Sequence, residues 1–123
     1  MWRHLTLIVA MLAGATALAQ ADTYPVSGTW TYDNASQKGP AKNCGQRVMR
    51  FDGNIRYDTG TSVPQYKNIS IDKRGETLWY VIDDFYTLQI RGRMIYTLQL
   101  VDEDHIQLTL EKGGKTFLLR RCV

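Results

Sequence analysis

From residue 26 onward the chain alternates apolar and polar residues with period two, in short runs broken by turn chemistry. Residues 26–32 read as a first strand, followed by a polar loop, 33–45, that contains Gly39-Pro40. Residues 46–51 form a second strand with Met49 and Phe51 on one face and Arg47 beside them. Asp52-Gly53 is a tight-turn signal, and 54–57 returns as a short strand. After a loop at 58–64, residues 66–72 alternate again, with Ile69 and Ile71 expected on one side. Residues 77–82 are apolar on both faces. Asp83-Asp84 then reads as an interrupting turn, with 85–90 as a further strand or an extension of the same one. Met94, Tyr96, Leu98 and Leu100 share a face, as do Ile106, Leu108 and Leu110 across the charged turn 102–104. Lys112-Gly113-Gly114 turns the chain into a last strand, 115–122, and Gly92 marks a point where a strand could bend.

This pattern predicts an all-β fold: an antiparallel meander of seven or eight short strands, each with one apolar face. A meander of this length closes into a small up-and-down barrel or splits into a sandwich, and closure is favoured because it removes exposed edges. Cys44 follows the first strand and Cys122 ends the last, so a disulfide between them would tie the two ends of the sheet together.

The leader adds the compartment. Met1-Trp2-Arg3-His4 is short and basic, residues 5–18 are largely apolar, and Ala17-Leu18-Ala19 and Ala19-Gln20-Ala21 offer two small-x-small cleavage sites. Residues 1–21 therefore read as a signal peptide and 22–123 as a single β-barrel domain, secreted to an oxidising space. The compact Ala-x-Ala leader points to a bacterial periplasm. The apolar run is shorter than the roughly 20 residues of a bilayer span, so no stable membrane span is expected after cleavage. The whole chain has 15 Lys+Arg and 12 Asp+Glu. Losing Arg3 leaves a net charge of +2, too mild for a dedicated nucleic-acid protein. Asn34 and Asn68 head glycosylation sequons, to which an exported bacterial chain attaches little weight.

Catalytic chemistry is hard to assemble from these residues. The mature chain has one histidine, His105, beside the acidic run 102–104, which reads as a solvated hairpin turn. No serine sits in a Gly-x-Ser-x-Gly frame. On a strand Asp83 and Asp84 would point to opposite faces, so they would not share a site. No metal, no cofactor and no enzymatic activity are expected. The dense aromatic stretch suggests instead a small-molecule lining made of Trp79, Phe85, Tyr86, Met94, Tyr96 and Leu98. At this size a barrel interior filled by side chains is the stronger expectation.

Gly28-Thr29-Trp30 at the start of the first strand resembles the Gly-x-Trp signature of the lipocalins and the wider calycin group. The resemblance implies that Trp30 closes one end of an eight-stranded cup, with Arg120 or Arg121 packed across its ring. It also implies that the cup holds one small apolar or amphipathic molecule. A cystine from an early loop to the C-terminus recurs in that family. The chain lacks the helix that follows a lipocalin barrel, and Asp84-Phe85-Tyr86 matches the second family signature loosely. The calycin group also contains periplasmic protease inhibitors that act through a flexible N-terminal arm, for which residues 22–25 are the counterpart here. Their disulfide lies within the N-terminal half, unlike the pairing available here. The sequence thus points to an exported non-enzymatic binder of a small apolar ligand. The alternative is an inhibitor or interaction module that binds a secreted or periplasmic protein.

Overall fold

A computed structural model of the protein describes residues 23–32 and 37–123; the leader and the Asn34 sequon lie outside them. The described residues form eight strands: β1 (Gly28–Tyr32), β2 (Val48–Asp52), β3 (Ile55–Asp58), β4 (Gln65–Lys73), β5 (Leu78–Tyr86), β6 (Arg91–Asp102), β7 (His105–Leu110) and β8 (Thr116–Arg121). Each strand pairs antiparallel with the next and β8 pairs with β1, so the meander closes into a barrel. The alternation seen in the sequence is the barrel's in-out pattern. Trp30, Met49, Phe51, Val81, Tyr96, Leu98, Ile106, Leu108 and Leu119 point inward and are buried.

Two local expectations are corrected. Asp83-Asp84 is no turn, because β5 is hydrogen-bonded to β4 and β6 through both residues and has no free edge at which to reverse. Asp83 faces the interior and Asp84 faces out, where it pairs with Arg93 at 3.1 Å. The chain reverses instead at residues 87–90, closed by Thr87 N–H donating to the Ile90 carbonyl at 2.8 Å. On β4, a bulge between Asn68 and Ser70 shifts the register by one residue. Because side chains alternate with period two, that slip puts Ile69 outside, 40% exposed, and Ile71 against the core, so the two isoleucines part.

The barrel's seam, β1 against β8, has three ladder pairs: Trp30 with Arg121, Thr31 with Arg120 and Tyr32 with Leu119. It is reinforced from outside by the loop after β1. Ala41 bridges to Cys122 in parallel, donating to the Arg121 carbonyl at 2.7 Å and accepting from Val123 N–H at 3.0 Å. Cys122 N–H donates to the Thr29 carbonyl, and the Thr31 hydroxyl donates to the Cys44 carbonyl. The Cys44–Cys122 disulfide, with Cα atoms 5.9 Å apart, locks this arrangement across a sequence separation of 78. Cys44→Ser is expected to lower unfolding stability by about 4 kcal/mol under oxidising conditions, read by chemical denaturation; a mutant matching oxidised wild type would remove the staple from the account.

Candidate functional site

The most constrained chemistry lies inside the barrel. Arg56 on β3 is fully buried, and its guanidinium sits between two buried carboxylates, Asp58 and Asp83. Nε–H donates to Asp83 at 3.0 Å and one Nη to Asp58 at 3.3 Å, while the other Nη meets the Met94 sulfur at 3.2 Å. The guanidinium plane lies 3.9 Å from the centre of the Tyr66 ring. Burial opposes its charge, but the Tyr96 and Asp83 oxygens around it hold its pKa above the ordinary arginine value.

Two carboxylates face one cation in the interior, and neutral donors supply their further hydrogen bonds. Asp83 also accepts from the Tyr24 and Tyr96 hydroxyls, each at 2.8 Å, and from the Asn68 amide at 3.1 Å. Asp58 accepts from the Tyr32 hydroxyl and Gly60 N–H, each at 2.8 Å. Burial first, and the adjacent carboxylate after it, push Tyr24 and Tyr32 far above the ordinary tyrosine value. Tyr96 is raised chiefly by burial. All three therefore stay protonated and keep donating. The Gly60 Cα lies so close to the Tyr32 ring that a Cβ there would collide with it, so only glycine lets this loop reach Asp58.

Tyr24 corrects the expectation of a free N-terminal arm. Its ring is buried against Phe51, 5.0 Å between centres, and its backbone N–H donates to the Gly53 carbonyl at 3.0 Å. The described part of the arm is bound to the barrel because Asp83 and Phe51 offer its phenol one polar and one apolar partner.

His105 is not solvated. It is buried, with Nδ1 2.8 Å from the Asp102 carboxylate and Nε2 2.8 Å from the Gln37 carbonyl. Both partners are acceptors, so only the protonated ring donates to both, and the contacts favour that form. The Asp102 hydrogen bond raises the His105 pKa above 6.5, and the same bond lowers that of Asp102. Arg120, on the outer face, grips the same loop through the carbonyls of Lys38, Gly39 and Pro40 and the Gln37 side chain. Arg121 stands opposite Trp30 on the ladder, and its guanidinium bonds the Asp104 carboxylate at 2.6 Å and the Glu103 carbonyl. The Trp30 indole N–H donates to the Ser27 carbonyl at 3.1 Å. Among the described residues no group of three or more His, Cys, Asp and Glu side chains converges.

The six aromatic and apolar residues marked in the sequence fall in two places. Tyr96 and Leu98 are fully buried core, and Trp79 and Met94 pack against it. Phe85 and Tyr86 line an open cleft of about 780 Å³ across β4, β5 and β6. Phe85 and Gly92 line it half-buried, a Cβ on Gly92 running into the Phe85 ring, and the buried Tyr66 ring packs edge to face behind Phe85 at 5.7 Å. The ladder pairs Arg56–Tyr66, Tyr66–Phe85 and Phe85–Gly92 put these residues on the inward face, so the cleft opens at the β5–β6 end of the barrel. Its rim carries Lys67, Arg91 and Arg93 against the single carboxylate of Asp84. Tyr66 joins the two regions, having Phe85 on one side and Arg56 on the other. A second open cleft, of about 660 Å³, lies over the His105 loop contacts.

Sequence reasoning missed Arg56, Asp58, Asn68 and Tyr24 as interior residues. A signal existed for Arg56: across the Gly53-Asn54 turn it is the ladder partner of inward Phe51, and ladder partners share a face. No family model matches the chain, and no curated protein or solved structure does either. The likeness to lipocalins therefore stays at the level of an eight-stranded closed antiparallel barrel.

The His105 contacts generate a pH prediction. A folded pKa raised above 6.5 means that the contribution is complete below that value and is lost as pH rises through the folded pKa. Hydrogen-exchange protection around residues 37–41 is expected to fall over that rise in wild type and to be flat in His105→Asn. Unchanged protection across the range in wild type would contradict the cationic assignment.

Proposed function

We propose that this protein is an exported, non-enzymatic binder of small amphipathic anions, and that it binds them in the open cleft at the β5–β6 end of the barrel rather than in its core. The observation that carries this reading is the contrast between the two places. The interior is occupied by the Arg56 network and the core packed around it. The cleft pairs an aromatic lining with a rim of three cations and one carboxylate. Its volume lies in the range of small-molecule sites, and such sites combine apolar surface with a few placed polar groups. An acyl chain would lie along Phe85, Tyr86 and Gly92, with its acidic head at Lys67 and Arg91. The cystine suits the oxidising periplasm that the leader implies.

Laurate, titrated calorimetrically below its micelle concentration, is the test. It is expected to bind, dodecyltrimethylammonium is expected not to, and Arg91→Glu together with Lys67→Glu should weaken laurate binding about tenfold or more, or about 1.4 kcal/mol and above. Equal affinity for both amphiphiles, or none for laurate, would contradict the reading.

A further inference from the structure

The hairpin joining β5 to β6 differs from the other described turns. Asp52-Gly53-Asn54, Arg74-Gly75-Glu76, Glu103-Asp104 and Glu111-Lys112-Gly113-Gly114 are polar or glycine-rich. The β5–β6 turn instead carries Leu88 at its tip, fully exposed at 104%, flanked by Tyr86 at 74% and Ile90 at 60%. These are three of the six exposed large hydrophobic residues among the described residues. Turn geometry does not call for them: the reversal is held by Thr87, whose backbone N–H donates to the Ile90 carbonyl and whose hydroxyl accepts from Ile90 N–H at 3.0 Å. Turns of this length favour Gly, Asn and Asp, so leucine at the tip brings no local benefit. Adjacent apolar side chains on a small exposed patch mark a contact surface.

The charge beside the tip indicates what it contacts. Arg91 is the ladder partner of Tyr86, with its guanidinium 5.3 Å from that ring, and Arg93 and Lys67 follow on the same wall. Asp84, bonded to Arg93, is the one carboxylate among the cleft residues. Apolar side chains leading, an amphipathic tyrosine behind them and cations behind that match the layers of an anionic leaflet read from its interior outward: acyl chains, interface, phosphate headgroups.

We propose that the β5–β6 hairpin is a membrane-docking tip. Leu88 and Ile90 enter the acyl boundary of an anionic leaflet while Arg91, Arg93 and Lys67 contact its phosphates. Docking sets the mouth of the cleft at the lipid surface, so that the anionic amphipath of the proposed function comes from the membrane. The inference rests on that reading for the ligand and on the tip for its source.

The test is co-sedimentation of the purified protein with vesicles of phosphatidylcholine alone and of phosphatidylcholine mixed with phosphatidylglycerol, alongside the laurate titration. Binding to the mixed vesicles is expected to exceed binding to phosphatidylcholine by about tenfold or more and to weaken with added salt. Leu88→Asp should lower it by about tenfold or more with an unchanged melting temperature, since Leu88 touches no core, and should leave laurate affinity as in wild type. Laurate binding without vesicle binding overturns the docking tip and leaves the cleft reading standing. Vesicle binding sensitive to Leu88→Asp without laurate binding supports the tip and removes the small-ligand reading. Self-association abolished by Leu88→Asp, with no vesicle binding, assigns the tip to a second copy and overturns the inference, as does vesicle binding indifferent to Leu88→Asp.

Discussion

Everything inside this barrel is arranged around one buried guanidinium. Arg56 lies between Asp58 and Asp83 with no access to water. Taking such charges out of water is costly, and a set like this persists only when every member is hydrogen-bonded. Removing one partner of a buried ion pair typically costs about 3–5 kcal/mol, because the remainder is left uncompensated. The requirement recruits residues from across the fold: Tyr24 from before β1, Tyr32 from β1, the Gly60 loop, Asn68 from the β4 bulge and Tyr96 from β6. Strand order, bulge and N-terminal segment are thus constrained together by the need to satisfy three charged groups.

That constraint bears on function. A lipocalin-like cup needs a hollow interior, whereas here fully buried side chains fill the barrel at the level of Arg56 and Tyr96. Tyr66 carries the consequence outward. The guanidinium lies against its ring and the ring packs on Phe85, so the core backs the lining of the cleft at the β5–β6 end. The loop after β1 is held at the seam by the cystine, Arg120 and His105, which secures a side of the barrel whose ladder has three residue pairs. In the proposed reading, recognition falls to the cleft at the β5–β6 end and to the turn that carries Leu88.

The architecture was legible because period-two alternation survives in most strands, and because Asp52-Gly53 and Lys112-Gly113-Gly114 mark reversals by composition. Cys44 and Cys122 were legible as a pair because there are only two cysteines, in a chain whose leader reads as an export signal. What escaped was polarity turned inward. On β3 the residues run Ile55-Arg56-Tyr57-Asp58, with the charged pair inside and the apolar pair facing out, so hydrophobicity alone assigns the wrong face. Asp83 was read as a break because a carboxylate in an apolar run ordinarily ends a strand, and its partners lie 27, 59 and 13 positions away along the chain. The bulge at Asn68 has no composition signature, and without it Ile69 and Ile71 belong on one face. Of the candidate lining, Phe85 and Tyr86 reach the cleft, while Trp79, Met94, Tyr96 and Leu98 were drawn inward by the same alternation that marked them as apolar.

The most direct measurement is the solvent exchange of the Arg56 Nε proton, followed by nitrogen–proton NMR at neutral pH with and without laurate. A buried guanidinium bonded to Asp83 predicts a slowly exchanging signal with through-space contacts to the Tyr66 and Tyr96 rings. That signal should persist when laurate shifts the resonances of Phe85 and Gly92. Exchange as fast as that of the exposed Arg50 and Arg74, or loss of the signal on adding laurate together with shifts at Leu98, would show a barrel that opens to its ligand and would contradict the account.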